Sequence, residues 1–290
     1  MKVVVTGKGG QLAWELVQLA PQGVELICVS SIELDISNQS LVNEFINKIK
    51  PDLVINAAAY TAVDKAEDDI VTAYSVNELG TKYLAQACKS IKARILHVST
   101  DFVFDGSNTT PYATDATPNP INVYGASKLA GDLALQQILP ESSVIVRTAW
   151  VYSVNGNNFV KSMLRLMREK PRLDIIYDQV GTPTWAKGLA QWLWIIAYKP
   201  EVIGIYHWTD AGIASWYDFA IAIQELAIEK GLLKEAIPVS PILTSAYLTP
   251  AKRPEYSVMD KSSAETVAGI NTIHWRKQLS TMIDELLIGA

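Results

Sequence analysis

The sequence is poor in the residues that build disulfide scaffolds and metal centres. Its 290 residues hold two cysteines, Cys28 and Cys88, and three histidines, His97, His207 and His274. The cysteines lack metal-ligand spacing and each lies in an apolar segment. They read as reduced core residues and point to a reducing compartment. The histidines stand apart from one another beside apolar neighbours. That predicts packed positions in the core or between lobes, with no metal. No block of basic residues appears, and the net charge is −5 with a pI of about 5.3, which argues against a nucleic-acid surface. Apolar content is 49%, yet the most apolar late run, Leu189 to Tyr198, is far shorter than the roughly 20 residues that span a bilayer. The opening MKVVVTGKGG has neither the apolar stretch nor the small-residue cleavage site of a signal peptide. A cytoplasmic protein with no membrane partner is expected.

What the chain does have is a rhythm. KVVVTG, VELICVS, DLVINAAA, RILHVST and SSVIVRTAW are short, β-branched runs of buried-strand character. Between them GQLAWELVQLA, NQSLVNEFINKIK, TAYSVNELGTKYLAQACKSI and NVYGASKLAGDLALQQIL carry helical patterns. Strand–helix alternation of this kind predicts α/β class and a Rossmann-type, doubly wound parallel sheet with right-handed crossovers. Residues 1–150 form the dinucleotide-binding domain on this reading. After Trp150 the rhythm loosens, and residues 151–290 are expected to form mainly a second, smaller lobe. Segments near 184–208, with GIYHWTD as a strand, rejoin the first domain.

TGKGGQLA follows the first strand and opens the first helix. Gly7, Gly10 and Ala13 fit G-x-x-G-x-x-G/A, with glycines for a tight turn and close approach to a diphosphate. The helix start supplies free N–H groups. No G-K-S/T follows, which excludes a P-loop. The second strand ends in Ser30 and Ser31, where an acid would grip the 2′-hydroxyl of NAD. NADPH and NADH both remain open as cofactor, with the uncharged serines favouring NADPH. Asp35 and Ile36 lie where they can bracket adenine, although Asp35 is also a candidate cap ahead of Asn38.

Ser99 and Thr100 end the fourth strand, where ligands bind. Tyr124 and Lys128 are four residues apart and share a helix face. Thr, Tyr and Lys form a set that polarises a carbonyl and delivers a proton. Lys128 beside Tyr124, with a cationic nicotinamide nearby, is expected to stabilise the phenolate and lower the tyrosine pKa.

Asn56–Glu67, Ser99–Gly106, Asn122–Asp132, Arg147–Tyr152, GNNF and Asp178–Thr184 occur in order across nearly the whole chain. Together they resemble the dTDP-4-dehydrorhamnose reductase family of the extended short-chain dehydrogenase/reductases. The resemblance implies hydride transfer to C4 of a dTDP-4-keto-6-deoxy-L-mannose, giving dTDP-L-rhamnose. Tyr124 would be the proton donor, Thr100 would hold the same oxygen, and Lys128 would tune Tyr124 and hold the nicotinamide ribose. Gly10, Gln11 and Leu12 would meet the cofactor diphosphate, Asp35 and Ile36 the adenosine, and Ala59, Tyr60 and Thr61 would line the cofactor. Asp101 and Trp150 would contact the sugar, and Arg253 the nucleotide's diphosphate. The C-terminal lobe would then bind the sugar nucleotide. Dehydratases of similar fold carry Thr-Asp-Glu at the strand end; here Phe102 stands in the glutamate position, which suits simple ketone reduction.

Some relatives dimerise through Mg²⁺ held by acids, one of them matching Glu15. The segment GTPTWAKGLA, where the others would be expected, holds no acid, so no metal is expected, Glu15 reads as an exposed helix acid, and a homodimer remains open. Two alternatives stand beside the reductase. One is a reductase or 4-epimerase of another 4-keto-6-deoxy sugar nucleotide. The other is a non-catalytic NADP-binding regulator resembling the β subunit of methionine adenosyltransferase.

Overall fold

The computed structural model describes residues 1–288. Six strands pair in parallel: β1 (Lys2–Thr6), β2 (Glu25–Val29), β3 (Leu53–Asn56), β4 (Arg94–Thr100), β5 (Ser143–Thr148) and Gly204–His207. Across the sheet the order is Gly204–His207, β5, β4, β3, β1, β2. Parallel neighbours cannot be joined by tight turns, so helices cross between them: α1 (Gln11–Gln18), α2 (Gln39–Ile49), α5 (Thr81–Ile91) and α6 (Val123–Ile138). The continuous apolar runs of the strands have their reason here, because both faces are covered. Val3 and Val5 of β1 pack with Leu12, Leu16 and Trp192 on one side. Val4 packs with Ile46 and Leu84 on the other.

Chain order reverses at β1, which has β2 on one side and β3 on the other. A crevice outside the carboxyl ends of these strands follows from that reversal.

The helix expected over residues 72–91 is segmented. α3 (Val63–Ala66) and α4 (Ile70–Tyr74) precede a π-helical turn, Ser75–Gly80, which runs into α5. The cause is visible at Asn77. Its side chain accepts from the Tyr60 N–H at 2.9 Å and donates to Tyr60 O at 3.2 Å and Ser127 Oγ at 2.9 Å. The widened turn places this amide inward, where it holds the loop after β3.

Beyond β5, α7 (Phe159–Glu169) begins the second lobe, and α8 (Ala186–Ala197) returns to pack on α1, with Trp194 Nε1 donating to Leu16 O at 3.0 Å. α9 (Trp216–Glu229) opens with Ser215 and Asp218 in a reciprocal capping box. α10 (Ser262–Ala268) and α11 (Trp275–Ile288) follow. Met163, Phe219, Ile223, Trp275 and Met282 form this lobe's core.

Two surface expectations are corrected. Glu15 is 1% exposed rather than an open helix acid. It lies three residues from Leu12 and four from Leu19, on the apolar side of α1, and accepts from Ser153 Oγ at 2.7 Å. Burial raises its carboxyl above the usual range. His97 and His207 are buried, but His274 is exposed. No helix among the described residues is long and apolar enough to cross a membrane.

Candidate active site

A cavity of about 740 Å³ occupies the crevice at the carboxyl ends of β1, β3 and β4. The glycine loop forms one end. Gly7 has φ +85°, and a β carbon there would stand 2.8 Å from Ala57 O, so only glycine lets the loop after β1 lie against the loop after β3. Gly10 caps α1 without a side-chain hydrogen bond. The leading N–H groups of α1 therefore meet no side-chain acceptor at the cap, which suits them to an anion. Gln11 and Leu12 line the cavity beside these glycines. Gln11 also bridges to the second lobe, accepting from Asn158 Nδ2 at 2.9 Å.

Ser31, Asp35 and Ile36 line the corner beyond β2, and Ala59, Tyr60 and Thr61 line the wall after β3. Asn38, not Asp35, caps α2; Asp35 accepts from the Ser37 N–H and hydroxyl at 2.9 and 2.7 Å. The cation in this corner is Lys8, which the glycine loop supplies. Lys8 Nζ lies 3.0 Å from Glu33 Oε1, while Glu33 Oε2 accepts from both the N–H and hydroxyl of Ser30 at 2.8 Å. These bonds hold the Glu33 carboxyl down at about 2. The cradle, the helix start without a side-chain cap and the cation at the far corner fit a dinucleotide from diphosphate to ribose.

The other end holds Thr100, Asp101, Tyr124, Lys128 and Trp150. Thr100 is the last residue of β4; its hydroxyl accepts from Phe102 N at 3.2 Å and donates to Asp101 Oδ1 at 3.1 Å. Tyr124 is the second residue of α6, whose start is fixed by Asn122 accepting from Gly125 N at 2.8 Å. Burial pushes the Tyr124 phenol up to about 12, the carboxylates of Asp101 and Asp132 adding and a hydrogen bond with Thr100 opposing. The lowered tyrosine pKa expected from the sequence is thus not found in the protein alone, because burial dominates. A phenol held this high stays protonated at neutral pH. Burial also brings the Lys128 ammonium down to about 8, opposed by Asp132. Asp101 is raised to about 6 by burial, with Ser257 and Thr100 opposing.

Trp150 takes φ +48° and stacks on Trp216, ring centroids 3.5 Å apart and planes 6° off parallel. Trp216 comes from α9, and no local signal in the sequence linked it to β5. Arg253 is not on the cavity lining. Its guanidinium is held by Asp64, with Nη2 2.7 Å from Oδ2 and Nη1 3.0 Å from Oδ1. Among the described residues, no group of three or more His, Cys, Asp or Glu is placed to hold a metal ion.

The model of the RmlD substrate binding domain family matches residues 1–288. The dTDP-4-dehydrorhamnose reductase of Aggregatibacter actinomycetemcomitans is 41% identical over 288 residues, 97% of this chain and 98% of that protein. The crystal structure of a dTDP-4-dehydrorhamnose reductase from Clostridium acetobutylicum is 40% identical, with a TM-score of 0.93 and coverage of 99% of this chain and 100% of that one. A Bacillus anthracis dTDP-4-dehydrorhamnose reductase, solved in complex with NADP, is 33% identical with a TM-score of 0.91, covering 98% of this chain and 99% of the other. A family match from end to end, on a fold that forms one cleft from glycine loop to tyrosine, means that the chain belongs to the RmlD substrate binding domain family.

Proposed function

We propose that the protein reduces the C4 ketone of dTDP-4-dehydro-L-rhamnose to dTDP-L-rhamnose, using NADPH or NADH. The observation that carries this reading is the single cavity joining the glycine cradle of Gly7 and Gly10 to Thr100, Tyr124 and Lys128. When bound, the nicotinamide supplies the hydride that reduces the carbonyl carbon. Thr100 hydrogen-bonds the carbonyl oxygen. Tyr124 gives its hydroxyl proton to that oxygen as the alkoxide forms, and the charge of Lys128 stabilises the phenolate left behind. Trp150, backed by Trp216, offers an indole face to the sugar. Phe102 leaves the strand end without the glutamate of a Thr-Asp-Glu triplet, consistent with reduction rather than elimination.

Residues 1–150 together with 184–208 are assigned to the cofactor, and the rest of the chain after residue 150 mainly to the sugar nucleotide. The two free cysteines support a cytoplasmic setting. The deciding experiment incubates purified protein with dTDP-4-dehydro-L-rhamnose and each of NADH and NADPH, following nicotinamide oxidation at 340 nm. Ketone-dependent oxidation yielding dTDP-L-rhamnose is expected. Turnover confined to UDP- or GDP-linked keto sugars, or none with any keto sugar, would overturn the reading.

A further inference from the structure

α6 carries a third polar residue in register with the catalytic pair. Tyr124, Lys128 and Asp132 follow one another at intervals of four and share a face. Asp132 and His97 are wholly buried, and Lys128, Ser99 and Arg147 are 1%, 3% and 2% exposed. Lys128 Nζ donates to Val98 O at 2.7 Å and stands 3.3 Å from His97 Nε2. The same ring nitrogen lies 3.5 Å from Asp132 Oδ1. The other, Nδ1, is 3.0 Å from Asn56 Nδ2. Asp132 Oδ2 accepts from Ser99 Oγ at 2.7 Å, with Arg147 Nε 3.7 Å away. Asp132 Oδ1 and Arg147 Nε and Nη1 have no hydrogen-bond partner.

Buried charge without a counter-charge is costly, so this arrangement needs a purpose or a balance. Asp132 is the carboxylate set between the two cations, Lys128 from its own helix and Arg147 from β5. The other titratable groups in the neighbourhood are Tyr124 on α6, His97 on β4, Asp101 after β4, and His207, which faces Arg147 from the Gly204–His207 strand. Both histidines are kept neutral, His97 at about 4 and His207 at about 3, by burial first and by the neighbouring cation second. Neither imidazole supplies charge. The imidazole of His97 lies between Lys128 and Asp132, polar on the edge that faces both.

We propose that Asp132, with His97 interposed, is a positioning residue that keeps Lys128 charged and directed at the cavity, and thereby sets the pH above which Tyr124 stops donating. The proposal rests on the reductase reading for its catalytic consequence. Its structural content, the charge state of Lys128, does not depend on the sugar.

The test measures single-turnover reduction between pH 6 and 10 with saturating NADPH in four variants. Removing the carboxylate lets protons leave the Tyr124–Lys128 pair at lower pH. Asp132→Asn is expected to move the basic limb down by about one unit, the lower end for loss of an opposite charge nearby. Activity at pH 9 relative to pH 6.5 then falls about tenfold further than in the wild type. Asp132→Glu keeps the charge and is expected to keep the limb. His97→Leu sets hydrocarbon against the ammonium and moves the limb down, whereas His97→Gln retains a polar contact and holds it. Circular dichroism checks folding. A folded Asp132→Asn protein with the wild-type limb overturns the proposal; if that variant does not fold, a wild-type limb in His97→Leu does so. NADPH binding, followed by fluorescence across the same pH range without sugar, separates the two readings. Shifted binding profiles in the variants of a protein that reduces no keto sugar would sink the reductase while leaving Asp132 in its role.

Discussion

A β carbon on Gly125 would stand 2.1 Å from the carbonyl oxygen of Phe102, so the first turn of α6 rests main chain against main chain on the turn after β4. This contact sets the spacing of the site. Thr100 ends β4 two residues before Phe102, and Tyr124 immediately precedes Gly125. The ring of Tyr124 meets that of Phe102 edge-on, centroids 5.6 Å apart at 74°. Phe102 thus does more than occupy a position where related folds carry an acid. Its backbone seats the helix and its ring supports the phenol.

Gly125→Ala should therefore be among the most damaging small substitutions in the chain. A methyl group cannot fit at 2.1 Å, and both partners are backbone, so α6 must move. Displacement of a catalytic group by about 1 Å can cost on the order of 100-fold in rate. The expected outcome is a kcat at least about 100-fold lower, with a reduced melting temperature. Steady-state kinetics and a thermal melt check it, and a variant with wild-type kcat would show that the helix start does not control the site.

Tyr124→Phe removes one oxygen and leaves the ring that packs on Phe102. Cofactor affinity should change little, while kcat falls roughly 10²–10⁴-fold, the usual contribution of a positioned acid. NADPH titration and single-turnover rates on the same preparation separate the two effects. Wild-type turnover would remove Tyr124 from the proton-donor role.

The parts of the site written in local spacing were legible in the sequence. Gly7 and Gly10 stand at a strand–helix junction, and Tyr124 and Lys128 at a helical interval. Both are short-range patterns, and both ends lie on the cavity. The same interval extended once more reaches Asp132, but its contacts with Ser99 and Arg147 come from β4 and β5 and are not local. Other features depend on distant chain segments. Trp216 stacks on Trp150 across 66 positions, and buried Glu15 accepts from Ser153 across 138. The break in the helix before α5 turns on Asn77 reaching back to Tyr60, a contact that helix periodicity does not encode. Arg253 is a further case, because the Asp64 carboxylate that holds its guanidinium lies 189 positions away.

Lys8 and Glu33 give a prediction about the choice of cofactor. Lys8 is the cation at the corner where a 2′-phosphate would lie, and Glu33 already engages it at 3.0 Å. The pair is half-exposed, so its influence on affinity is modest. Lys8→Ala is expected to raise the KM for NADPH roughly two- to fivefold and leave that for NADH nearly unchanged. Glu33→Gln, which frees the lysine, should lower the NADPH value. Parallel kinetics with the two cofactors decide the matter, and equal effects on both would place the phosphate elsewhere.

Asp210 gives a prediction about stability. It is 2% exposed, and its carboxylate accepts from the Trp185 N–H at 3.0 Å. Burial pushes its carboxyl up to about 7, against hydrogen bonds that lower it. The folded state therefore binds this proton more tightly than the unfolded chain, whose value is near the ordinary 3.8. The contribution of Asp210 is complete below about pH 4 and is lost as pH rises through 7. The wild-type curve alone does not isolate it, because His97 and His207 are depressed in the folded state and act in the opposite sense below their unfolded value of 6.5. The difference between wild type and Asp210→Asn removes that background. Asparagine keeps an acceptor for Trp185 and carries no charge. The variant should gain stability relative to wild type between pH 4 and pH 8, by a few kcal/mol at most. Urea denaturation of both proteins at the two pH values measures it, and a difference that does not change with pH would show that Asp210 titrates normally in the folded protein.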